Sequence, residues 1–310
     1  MTHTAQIAKT YNLQERHVNV VIELLDEGNT IPFIARYRKE RTGTMDEENI
    51  RNVAESIERL RALDERREVV LTSIREQEKL TPALEKEILS AETMTRLEDL
   101  YLPYRPKRRT RAMIAKEKGL NRLAEIILEQ PTANVPLETI VKPFLNDEVP
   151  DIESALSGAR DIVAETISDH AGVREVLREK AMTYGQLTSE KKNDAEDERK
   201  VYETYYEFEW RVDRIKPHQV LAINRGETEK VLRVKVEVDE RDWQTAITKH
   251  FKGDRRSKFF EQYQLAIEDA ANRLLLPAIE RDVRSTLTAA AEEHAIQVFT
   301  ENLRALLKQP

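Results

Sequence analysis

From Ile50 to Ile74 the apolar residues of this 310-residue chain fall on one helical face. Ile50, Val53, Ile57, Leu60, Leu63, Val70, Leu71 and Ile74 recur at helical spacings, while Arg59, Arg61, Glu65, Arg66, Arg67 and Glu68 lace the opposite side. A stripe of about seven turns must be covered by neighbouring elements, so its length dictates a helical architecture. Asp64 and Arg67 interrupt a seven-residue register, which predicts a packed arm and not a continuous two-stranded coil. Thr44, with Glu47 three residues on, reads as its capping box, and Asp46-Glu-Glu48 suits the positive end of the helix.

The same period continues on both sides. Residues 13–27 place Val18, Val21, Leu24 and Leu25 on one face, Gly28 stops them, and Pro32 sits near the start of a second short helix ended by Gly43, a helix-turn-helix-like arrangement. Helix starts follow at Thr81-Pro82, at Thr95 with Glu98, at Arg111 and at Asn121; residues 131–150 form a proline-punctuated link, and residues 152–182 are helical. Residues 195–212, with Tyr202, Tyr205, Tyr206, Phe208 and Trp210, read as an acidic, aromatic helix.

The period changes in one place. Leu232, Val234, Val236 and Val238 alternate with Arg233, Lys235 and Glu237, a strand that needs a partner, with one candidate around Gln186 to Ser189. Asn224-Arg-Gly226 reads as the C-cap of the helix before it. Helices then return to Leu307. Val298, Phe299, Leu303, Leu306 and Leu307 would leave a sizeable apolar patch, so the last helix is expected to fold back, against Tyr202 to Trp210. The pattern predicts a mostly α, elongated multi-helical array with a helix-turn-helix-like N-terminal part and a small strand-containing insertion. A first helical region over 1–130 includes the long helix and the basic loop, and a second over 131–310 carries the insertion around 183–240.

Several function classes lose their starting material. There is no cysteine, hence no thiol nucleophile or iron-sulfur ligation, and the six histidines never take paired metal-ligand spacing. No phosphate loop or nucleophile elbow occurs, so no catalytic residue, cofactor or metal is expected and the chain reads as a non-enzyme. The carboxylates Glu190, Asp194, Glu196, Asp197 and Glu198, interleaved with lysines and Arg199, fit a solvated helix start better than a divalent-cation site. No apolar run reaches membrane-spanning length and the first ten residues lack an apolar leader, so a cytoplasmic location without membrane partners is expected.

Net charge is -7, from 50 Lys and Arg against 57 Asp and Glu, but the balance hides a basic block. Arg105, Lys107, Arg108, Arg109 and Arg111 cluster between Tyr104 and Lys116, and Pro103 and Pro106 forbid a continuous helix there. An extended basic segment can follow spaced phosphates, and Tyr104 can stack on an unpaired base. The same residues fit a solvated loop or the docking of an acidic protein. Arg36, Arg38, Lys39 and Arg41 form a second basic group on the second short helix and just beyond it, where a solvated helix face is the plainer reading.

Four blocks, Ile31-Pro-Phe-Ile-Ala-Arg-Tyr-Arg-Lys-Glu-Arg-Thr-Gly43, residues 97–111, Leu221-Ala-Ile-Asn-Arg-Gly-Glu227 and residues 295–307, together resemble the N-terminal half of the bacterial Tex family of transcription accessory proteins. The resemblance implies a nucleic-acid-binding, most of all RNA-binding, accessory factor without enzymatic activity. In such a factor this region would be a helical scaffold with auxiliary phosphate-backbone contacts; the alternative is a non-catalytic protein-interaction module contacting the transcription machinery. It also implies a following YqgF domain, helix-hairpin-helix elements and an S1 domain, none of which lies in these residues, and RNA or DNA, RNA polymerase or a ribonucleoprotein as partners.

Overall fold

The structure, a computed structural model, describes residues 2–106, 109–132 and 135–307. It is mostly α, with one small antiparallel sheet, and divides into two compact units, Met1–Tyr101 and Leu102–Pro310. The described residues of the basic block, Arg105, Arg109 and Arg111, lie past that division, in the second unit.

In the first unit, α1 (His3–Tyr11), α2 (Glu15–Asp26) and α3 (Ile31–Tyr37) pack on the first half of α4 (Glu47–Glu76). Ile7, Val18, Val21, Leu24 and Ile34 meet Ile50, Val53, Ile57 and Leu60, all buried. α5 (Pro82–Ser90) and α6 (Met94–Tyr101) cover the second half, where Val70, Leu71 and Ile74 are buried. Each fully buried aliphatic side chain contributes about 1.5–3 kcal/mol, so the sequence stripe is what holds the unit together. Arg67 donates to the carbonyls of Ile88 (3.2 Å) and Ala91 (2.9 Å), tying the end of α5 to the arm. The start of α4 differs from expectation: Asp46 is its N-cap, accepting from the amide of Asn49 at 2.8 Å, because Gly43 and Thr44 both lie at φ 64 in the preceding turn.

The second unit is built around α10 (Ile152–Asp169). Against it pack α7 (Arg111–Glu117), α8 (Asn121–Glu129), α9 (Leu137–Val141), α11 (Ala171–Tyr184) and α14 (Phe260–Asp269), with the π-helical turn Ala270–Leu275 that follows α14. The sheet has the order β2-β1-β3, with β1 Gln186–Lys191 central, β2 Glu207–Arg211 and β3 Leu232–Glu237. Leu187 stands opposite Trp210 on one side and Val236 on the other. β1 supplies the partner that β3 needed. α12 (Pro217–Thr228), α13 (Glu240–Thr248) and α15 (Leu276–Leu307) complete the unit. Gly226 is not a C-cap but lies buried inside α12, where an added Cβ would meet Leu232 at 2.6 Å.

Two expectations fail here. The aromatic segment 195–212 is not a helix: Lys200 lies at φ 51, and the Asp197 carboxylate takes the amides of Val201 and Tyr202, both at 3.0 Å, that a helix would need. Those two amides and the Tyr206 hydroxyl hold the Asp197 carboxyl below its usual range, so this acidic stretch organises a turn and not a helix start. The last helix does not fold back. No Gly or Pro follows Pro277 within α15, so the helix runs unbroken to Leu307 and leaves Phe299 67% and Leu307 77% exposed. Among the described residues no helix is long and apolar enough to cross a membrane.

Candidate nucleic-acid interface

The first basic group stands at the C-terminal end of α3. Ile34 and Ala35 face the core, which sends Arg36 and Tyr37 outward, and the chain leaves the helix through Arg38 and Lys39. Buried Thr42 fixes that exit by donating from its hydroxyl to the carbonyls of Arg38 (3.2 Å) and Lys39 (3.3 Å). Cations suit this position because a helix C-terminus presents carbonyls. The Arg38 guanidinium lies 5.0 Å over the Phe33 ring, and Phe33 contacts Tyr37 at 5.3 Å. Tyr37 is 67% exposed. Among the described residues Arg36, Arg38, Lys39 and Arg41 have no ion-pair partner, and Arg36, Lys39 and Arg41 are exposed.

The second group is the basic block. The turn Leu102–Tyr104 leads into it with Tyr104 half-buried and Arg105 exposed. Thr110 then caps α7 by accepting from the amide of Met113 at 3.1 Å. Lys107 and Arg108 lie outside the described residues. Arg109 is engaged by Glu117 at 2.7 Å, and Lys116 by Glu165 on α10 at 3.4 Å. Arg111 lines a cavity of about 350 Å³ whose wall includes Thr110, Asp161, Glu165, Asp169 and Arg273. Burial raises the Asp161 carboxyl above its usual range, against the pull of Arg273, 3.0 Å away, and of Arg111. Asp161, Glu165 and Asp169, four residues apart along α10, set an acidic row against the basic block.

The structure therefore separates the two groups into different units and gives them different electrostatic surroundings. The carboxylates of α10 and Glu117 escaped the reading of the block, although the four-residue spacing of the α10 row is visible in the sequence. Among the described residues no cluster of three or more His, Asp or Glu side chains is placed to hold a metal ion.

Residues 1–75 match the Tex-like protein N-terminal domain and residues 132–299 the Tex central region-like family. An uncharacterized Bacillus subtilis protein, YdcI, is 42% identical over 308 residues, which is 98% of this chain and 43% of that protein. The transcriptional accessory protein Tex of Neisseria gonorrhoeae is 36% identical over 298 residues, 94% of this chain and 39% of that protein. The human S1 RNA-binding domain-containing protein 1 is 29% identical over 304 residues, 93% of this chain and 30% of that protein. The chain thus spans about two-fifths of the length of its bacterial relatives.

Proposed function

This chain belongs to the Tex family, and from that premise we propose that it is the helical scaffold of a transcription accessory factor, making auxiliary contacts to the phosphate backbone of RNA. One observation carries the reading: among the described residues the cations at the end of α3 stand without ion-pair partners, beside the exposed ring of Tyr37. An unpaired cation meets a phosphate without first leaving a carboxylate, and a neighbouring aromatic offers a face to an unpaired base. Arg105, exposed and without an ion-pair partner among the described residues, adds a contact on the second unit. The names of the gonococcal and human relatives support the transcriptional and RNA side of the proposal. The proposal assigns the chain no catalytic step, and places its action in the cytoplasm with nucleic acid and the transcription machinery as partners.

The test is a titration of labelled single-stranded RNA, duplex RNA and DNA over a salt series, for the unaltered chain and for R36E/K39E/R41E. Losing three phosphate contacts flattens the single-strand log-log salt slope by about 2. An unchanged slope and affinity in the variant, with its helical content intact, overturns the assignment of this surface.

A further inference from the structure

The two edges of the small sheet are treated differently. On β3 the outward groups are covered: α12 and α15 pack there, Leu232, Val234 and Val236 are buried, and the amide of Val236 donates to Glu280 Oε1 on α15 at 3.3 Å. The ladder fixes which groups point outward on β2. The amide of Lys191 donates to the Tyr206 carbonyl at 3.1 Å, and that of Val212 to the Gly185 carbonyl at 2.9 Å, so residues 206, 208, 210 and 212 turn their N–H and C=O toward β1. Glu207, Glu209 and Arg211 turn theirs away from the sheet. Glu207 and Glu209 are exposed, and among the described residues no side-chain or loop hydrogen bond reaches their outward N–H and C=O or the outward amide of Arg211, whose carbonyl opens the 3-10 turn Val212–Arg214.

Side chains give this open edge a character. Phe208 and Trp210 share one face, stacked at 6.2 Å and 21°, and Trp210 is 47% exposed. On the other face Glu207 stands directly opposite Glu190 of β1, and like charges so placed destabilise a sheet. Neither Glu207 nor Glu209 has an ion-pair partner among the described residues. An incoming strand with basic residues at alternate positions would relieve that repulsion. Its intervening apolar residues would cover Trp210 and Phe208.

We infer that the outer edge of β2 is a docking rail for an extended segment of a protein partner in which Lys or Arg alternates with apolar residues, joined by strand addition at Glu207, Glu209 and Arg211. Backbone pairing supplies the attachment, and the alternation selects the partner. This goes beyond the phosphate contacts and does not depend on them.

The test titrates the whole chain with a blocked peptide of alternating Lys and Val, and with its Glu–Val counterpart. Trp fluorescence and amide hydrogen exchange are the readouts. Binding of the Lys–Val peptide is expected to slow exchange at Glu207, Glu209 and Arg211 and to shift the emission of Trp210. E209P deletes an outward N–H without deleting a β1–β2 bond, and it should weaken binding about tenfold. E207K/E209K leaves the backbone intact and should reverse the preference in favour of the Glu–Val peptide, which keeps the proposal testable should E209P disturb the strand. Equal affinity for the two peptides, or binding indifferent to both variants, overturns it. Protection that rises with chain concentration alone would assign the edge to a second copy, and protection by single-stranded RNA alone would assign it to nucleic acid; either result overturns the partner class.

Discussion

Releasing Arg109 from Glu117 should strengthen RNA binding, because the pair competes with phosphate for the same guanidinium. The two groups are 2.7 Å apart, with side chains 69% and 55% exposed. An ion pair this open to water contributes about 0.2–1 kcal/mol, so Glu117→Gln should leave folding stability within about 1 kcal/mol of the parent. A phosphate that engages Arg109 must displace Glu117 at the same cost, so the variant should tighten binding by up to about fivefold. One more phosphate contact should also steepen the single-strand salt slope by about 0.7. Glu203→Gln is the matched control: it makes the same change in net charge and frees Lys200 from a pair at 2.9 Å with side chains 67% and 59% exposed. The assay is fluorescence anisotropy with labelled single-stranded RNA at pH 7 across a salt series. If Glu117→Gln changes neither affinity nor slope, or if Glu203→Gln changes them equally, the local-competition reasoning is wrong and only net charge is being measured.

Phe259 has no exposed surface in the core of the second unit, so F259A should lower stability in a urea titration by about 3–5 kcal/mol, whereas F299D, at a 67% exposed site, should stay within about 0.5 kcal/mol. Gly43→Ala should cost more than about 1 kcal/mol, since its φ of 64 disfavours a side chain and the new Cβ would run into the His17 ring; circular dichroism melting checks it. Asp161 has a raised carboxyl pKa, so the folded chain holds its proton more tightly than the unfolded one, and its contribution is most favourable in acid and is lost as pH rises through the raised value. D161N should therefore gain stability relative to the parent as pH climbs from about 3 to 6, with Arg273 still held by Asp269; a constant difference across that range would refute it.

The parts of the fold legible from sequence are those where one period runs long enough to outvote local detail. The arm from Ile50 to Ile74 is of that kind, as is the alternation at Leu232 to Val236. The aromatic segment shows the opposite case. Phe208 and Trp210 alternate with Glu207 and Glu209, and aromatic residues favour strands, but five residues of alternation inside an acidic run read equally well as a helix. What decides is the Asp197 turn and the pairing of Trp210 with Leu187, neither of which local propensity contains. At the end of α15 the apolar patch asks for cover, but the helix contains no Gly or Pro after Pro277 at which the chain could turn back. Chain geometry prevails there, since a helix without a breaker cannot reverse to bury its own surface.

The candidate interface was half legible for a related reason. Cations are countable along a chain, but the potential they produce depends on which of them already face a carboxylate. Lys116 meets Glu165 across 49 positions of sequence, a contact that exists only because α7 lies against α10. Arg109 meets Glu117 at the far end of the helix that begins two residues after it, a pairing that local sequence could have suggested. Counting therefore ranks the block at 105–111 above the group at 36–41, while pairing ranks them the other way among the described residues. The R36E/K39E/R41E titration and the Glu117→Gln titration separate these two orders. If counting governs, Glu117→Gln adds little to a surface already dominated by the block; if pairing governs, the smaller group carries most of the slope and the block adds a phosphate at Arg109, beyond the one at Arg105, only when Glu117 is removed.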